Sequence, residues 1–129
     1  MTSVLLMSLV LPGCADGDRD LPSRYRNLAV RDDRLASASA RDRGRTLFLM
    51  NCALCHGERG DGIGLRREGL VGQPRDFTNP TWRASTSPRR VFYAIREGRA
   101  QTSMSSWPSL TDDEVWDLTA YVLSLGERQ

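Results

Sequence analysis

Three segments of the chain carry apolar residues at helical spacing. In "ARDRGRTLFLMNCALC", residues 40–55, Leu47, Phe48, Met50 and Cys52 fall near one side when Ala53 and Leu54 continue the turn. Gly44 sits inside this predicted helix, where glycine costs about 1 kcal/mol relative to alanine. Close approach of another backbone is one reason to keep a residue without a side chain there. In "SPRRVFYAIREGR" Ser87 is the expected N-cap, Pro88 suits the first helical position, Val91, Phe92 and Ile95 form the inner stripe, and Gly98 ends the helix. The last segment, "SLTDDEVWDLTAYVLSLGERQ", has Thr111 and Glu114 spaced as a capping box. Asp112 and Asp113 in its first turn suit the helix dipole. Val115, Leu118, Tyr121, Val122 and Leu125 follow as a core stripe, and Gly126 is the expected stop.

The remainder is polar. "GERGDGIG", "GLVGQPRDFTNPTW" and "GRAQTSMSSWPS" are rich in Gly, Pro, Ser and Asn and read as loops. Residues 15–40 hold five Arg and five Asp among scattered apolar residues and read as a linker, with a short helix around Asn27 to Ala38 as an option. As coil it would reach on the order of 30 Å. The first eleven residues, MTSVLLMSLVL, are uncharged and mostly apolar. That run is too short to span a bilayer and resembles the apolar core of an export signal. "LPGC" resembles a bacterial lipobox, which makes Cys14 a candidate lipidation site, although no charge precedes the run and Pro12 is unusual there. The expected organisation is a signal at 1–13, a polar tether at 14–40 and one domain at 41–129. About 90 residues make a marginal core.

Composition narrows the function classes. The net charge is only +2, and all 18 basic residues are Arg, spread among 16 acidic ones. A nucleic-acid footprint needs a denser basic face. The chemistry concentrates instead in "MNCALCHGERGDGIG", which holds two of the three cysteines and the only histidine. Cys52-Ala53-Leu54-Cys55-His56 is C-x-x-C-H, the attachment pattern of c-type haem. Two thiols at this spacing reach two vinyl groups on one porphyrin edge, and the next imidazole projects toward the iron. A structural zinc site needs four ligands, and there is no second Cys pair or second His. A plain Cys52–Cys55 disulfide stays open but leaves the adjacent His unexplained. Three short helices joined by long loops make sense if the loops wrap one flat apolar disc.

From residue 41 to about 127 the chain resembles the class I cytochrome c family. Gly44 and Phe48 stand before C-x-x-C-H as in that family's first helix, and Leu118 and Tyr121 match its last. "CHGERGDGIG" and "PRDFTNPTW" resemble stretches of small bacterial members. The resemblance implies an all-α cytochrome c fold, three to four short helices and long loops around one covalent haem, with first and last helices packed near perpendicular. It also implies a methionine as the second axial ligand, from a loop before the last helix. Met104 lies there, followed by Ser105 where the family pattern has Pro; the alternative is a packing methionine. Met50, two residues before Cys52, should not reach the far face. By resemblance, a backbone carbonyl between Leu70 and Pro74 holds the second nitrogen of His56. Trp82 and Trp107 are candidates to wall the haem pocket, with simple packing as the alternative. Arg59, Arg66, Arg67, Arg75 and Arg99 lie in loops around the proposed site, as exposed surface or as a rim for an acidic partner.

The expected function is one-electron transfer between redox partner proteins outside the cytoplasmic membrane, by a non-enzymatic carrier held to a bacterial membrane by lipid. Two alternatives remain: a haem subunit of a larger oxidoreductase, a membrane one included, and an open-site haem enzyme or gas sensor with His56 as sole axial ligand.

Overall fold

A computed structural model describes residues 16–127. Cys14 and the expected signal at 1–13 lie outside the described residues. The described residues are all-helical, without a strand: α1 (Ser23–Arg26), α2 (Asp32–Leu35), α3 (Ala38–Asn51), α4 (Ala53–His56), α5 (Pro80–Ser85), α6 (Pro88–Glu97) and α7 (Asp112–Leu125).

The molecule is built around α7. From Val115 to Leu125 every residue is buried, because α2, α3 and α6 all pack on it. A helix covered on all sides must satisfy its polar groups locally. Thr119 donates its hydroxyl to the Val115 carbonyl at 2.7 Å, and Ser124 donates to that of Tyr121 at 2.6 Å. The capping box forms: Thr111 Oγ1 accepts from the Glu114 N–H, and the Glu114 carboxylate accepts from the Thr111 N–H.

α3 meets α7 along the row Ala40, Gly44 and Phe48, all buried at i+4 spacing. A Cβ on Gly44 would fall on the Asp117 carbonyl and 2.9 Å from Cβ of Tyr121. The glycine thus lets the two backbones touch, as its place inside the helix suggested. Met50 departs from the expected stripe and is 75% exposed. It lies two residues from Phe48, a rotation of about 200° around the helix.

α6 starts and ends where the sequence indicated. Ser87 Oγ accepts from the Arg90 N–H, Pro88 opens the helix, and Val91, Phe92 and Ile95 are buried. The expected loop "GLVGQPRDFTNPTW" contains the start of α5 instead. The Asn79 side chain caps it by accepting from the N–H groups of Thr81 and Trp82. Asn-Pro, read as turn chemistry, serves here as N-cap and first helical residue.

Residues 16–37, expected as part of a solvated tether, are folded back onto the helices. Leu21 and Tyr25 are buried in the core. The Tyr25 ring stands edge-on to Tyr93 at 4.8 Å and near Phe92 at 6.4 Å. The charges read as solvated are paired: Asp18 with Ser87 and Arg89, Asp20 with Arg90, Arg31 and Arg34 with Asp113. Arg34 and Arg43 also converge on buried Asp117, each at 2.7 Å.

Candidate haem-attachment site

Cys52 closes α3. Its N–H still donates to the Phe48 carbonyl at 2.8 Å, but its backbone leaves helical geometry, and the chain restarts as the single turn α4. That break places Cys52 ahead of the turn that carries Cys55 and His56. A turn this short leaves its last carbonyls open. The glycine-rich loop returns to close them: Gly62 N–H donates to the His56 carbonyl, Gly64 N–H to that of Cys55 and Arg66 N–H to that of Leu54. Gly64 permits this, since a Cβ there would fall on the carbonyl groups of Leu54 and Cys55.

Cys52 and Cys55 are partly exposed and not joined by a disulfide. Burial of the sulfur, with Cys55 beside it, pushes the Cys52 thiol up to about 12. His56 is partly buried. Its Nδ1 lies 3.2 Å from the Arg75 carbonyl oxygen. A carbonyl only accepts, so Nδ1 carries the proton and donates, which leaves the Nε2 lone pair free. Burial also lowers the imidazole below its ordinary 6.5, against the opposing pull of the Arg75 hydrogen bond, and so favours the neutral, ligating form. The acceptor falls one residue past the expected stretch Leu70 to Pro74.

Phe77 was not singled out from the sequence, yet its ring stacks on that of His56, with centroids 4.6 Å apart and planes 24° apart. Trp82 of α5 packs on Phe77 at 5.1 Å, one ring removed from the imidazole. The signal was the quoted stretch "PRDFTNPTW", which holds Arg75, Phe77 and Trp82 together.

Met104 lies partly buried in the loop between α6 and α7. Its carbonyl accepts from the Arg99 N–H, and its N–H donates to Thr102 Oγ1. The neighbouring Ser103 is tied to Val71 twice: Ser103 N–H to the Val71 carbonyl at 2.9 Å, and Val71 N–H to Ser103 Oγ at 2.8 Å. Residues 71–75 therefore join the Met104 loop at one end to His56 at the other. Trp107 is partly buried against the core, and its carbonyl accepts from Arg96. Of the loop arginines, Arg59 pairs with Asp61 at 3.3 Å. Arg75 and Arg99 contribute backbone atoms, and Arg66 and Arg67 are exposed.

These residues fit a covalent haem. The motif offers two unjoined thiols and an oriented imidazole. The flanking segments hold out apolar side chains: Leu54 is 48% exposed, Ile63 62%, Leu65 95% and Val71 63%. An apolar disc seated on the motif would cover such surface. No group of three or more His, Cys, Asp or Glu side chains able to hold a bare metal ion occurs among the described residues.

The cytochrome c family model matches residues 41–126. The chain belongs to the cytochrome c family. Membership implies covalently bound haem c, and c-type cytochromes are extracytoplasmic. The chain is 33% identical over 97 residues to the cbb3-type cytochrome c oxidase subunit CcoP of Azospirillum brasilense, covering 72% of this chain and 31% of that protein. It is 31% identical over 90 residues to the cbb3-type cytochrome c oxidase subunit FixP of Azorhizobium caulinodans, covering 70% and 29%. The chain thus spans less than a third of the length of these relatives. Among solved structures, the reducing HAO-like protein complex Kustc0457/Kustc0458 of Kuenenia stuttgartiensis matches with a TM-score of 0.62 and 31% identity, covering 69% of this chain and 44% of that one. No described helix is long and apolar enough to cross a membrane.

Proposed function

We propose that this cytochrome c is a single-haem electron-transfer protein in which Cys52 and Cys55 form the thioether links and His56 and Met104 are the axial ligands. A haem c held this way supplies reversible one-electron chemistry. The observation that carries the reading is the hydrogen bond from His56 Nδ1 to the Arg75 carbonyl, which fixes the tautomer that leaves the Nε2 lone pair free to bind iron. The Val71–Ser103 tie supports Met104, because it holds the methionine loop to the segment that positions His56. A thioether ligand and a pocket walled by Trp82 and Trp107 both favour the reduced state and raise the potential. If His56 and Met104 held the iron together, they would exclude exogenous ligands and the haem would supply electron transfer alone.

The test is Met104→Ala on the matured protein. The long-wavelength ferric band of sulfur–iron coordination disappears and the ferrous form gains rapid CO binding, whereas the wild type binds none. Rapid CO binding by the wild type contradicts the six-coordinate carrier and favours an open-site enzyme or sensor.

A second reading rests on the relatives, which are named as subunits of an oxidase. On it, this chain is the haem subunit of a larger oxidoreductase. A stable complex recovered from native membranes favours that reading, and a free monomer favours the shuttle. We further infer periplasmic residence with Cys14 as the lipid-bearing residue; the intact mass of the exported protein tests both.

A further inference from the structure

We propose that Phe77 is a positioning residue for the haem ligand His56, fixing the plane of the imidazole that the Arg75 hydrogen bond alone leaves free to turn. The inference rests on the axial role of His56 given above. The terminal torsion of a histidine side chain is broad. One hydrogen bond at Nδ1 fixes the direction of that atom but still permits the ring to pivot about the N–H···O line. A flat face stacked at 4.6 Å with an interplanar angle of 24° removes that freedom. Contacts beyond the first ligands orient a metal-binding histidine and tune the metal.

Phe77 suits the task because it is itself held on several sides. Its N–H donates to the Gly60 carbonyl at 2.7 Å, which ties it to the loop after the motif. Its ring meets Phe48 edge-on at 6.2 Å and Trp82 at 5.1 Å. Phe48 is fully buried and packs on Tyr121 of α7 at 5.3 Å. The imidazole plane is thereby referred, through Phe48, to the buried α3–α7 crossing. Arg75 and Phe77 act from one short segment, the first on the edge of the imidazole and the second on its face. No second aromatic contact to His56 occurs among the described residues.

The test compares ferric matured wild type, Phe77→Leu and Phe77→Tyr by NMR. The pattern of haem methyl shifts reports the orientation of axial ligand planes and is insensitive to a mere loss of stability. Leucine fills the site without offering a flat face; tyrosine keeps the face. Phe77→Leu is expected to reorder or compress the methyl shifts and to move the reduction potential, while Phe77→Tyr retains the wild-type pattern. A Phe77→Leu pattern superimposable on the wild type, accompanied only by a lower melting temperature, overturns the proposal. Failure of the axial role of His56 looks different: it appears in the wild type, as the absence of hyperfine-shifted imidazole resonances from His56. The comparison between variants judges Phe77 whichever sixth ligand is found.

Discussion

At the scale of single residues, two positions set how the helices meet. Gly44 is where the backbones of α3 and α7 touch, with the Asp117 carbonyl directly over it. Gly44→Ala replaces a contact by a clash that two helix backbones must relieve, and is expected to cost roughly 2–3 kcal/mol. Chemical denaturation of the matured protein checks this; a change under 0.5 kcal/mol contradicts the close crossing. Asp117 is a buried carboxylate, 3% exposed and held by Arg34 and Arg43. Asp117→Ala removes the buried one of the two carboxylates that hold the partly buried Arg34 guanidinium and leaves it only the exposed Asp113. The expected loss is about 2 kcal/mol, and partial recovery on a further Arg34→Met exchange would identify the weakened charge pairing as the cause. The motif residues were legible in the sequence because their chemistry is local: five consecutive positions specify thiols and imidazole. Phe77 was not, because its partner is 21 positions away and nothing in "PRDF" announces a stacking face. Asp117 was hidden within an apolar stripe, where its purpose depends on arginines from two other helices.

At the scale of elements, α3, α6 and α7 were readable because caps, glycines and helical apolar spacing agree along each. The folded-back segment 16–37 was not. Its buried residues, Leu21 and Tyr25, stand four apart, but Pro22 interrupts the helical pattern after Leu21, and its equal charges look solvated until their partners on α6 and α7 are known. Deleting residues 16–37 while keeping the leader is expected to cost roughly 3–6 kcal/mol, two buried side chains at about 1.5–3 kcal/mol each. An unchanged melting temperature would return this segment to the status of a loose tether. The contact also has a pH signature. Burial, reinforced by the Glu97 carboxylate, pushes the Tyr25 phenol up from 10.0 to about 12. Between those values the unfolded chain releases a proton that the folded chain keeps. The contribution is therefore full below pH 10 and is lost as pH rises toward 12. Tyr25→Phe lowers stability by about 1 kcal/mol at neutral pH through the lost hydrogen bond and makes the alkaline fall shallower. Parallel wild-type and variant curves would contradict the buried phenol.

At the scale of the whole molecule, α7 is buried among the other elements while the motif loops hold Leu54, Ile63, Leu65 and Val71 outward. A domain this small gains little from its core alone, so the covalent group is expected to complete it. The sequence revealed that need through the mismatch between short helices and long loops. It did not reveal that residues 71–75 link the methionine loop to His56, since backbone bonds between loops carry no side-chain signature. The most direct test is the intact mass of the matured chain together with its pyridine haemochrome spectrum. The account predicts one haem per polypeptide, retained on denaturation, with the spectrum of two thioether links. A chain of unmodified mass that is colourless and still unfolds cooperatively would contradict it.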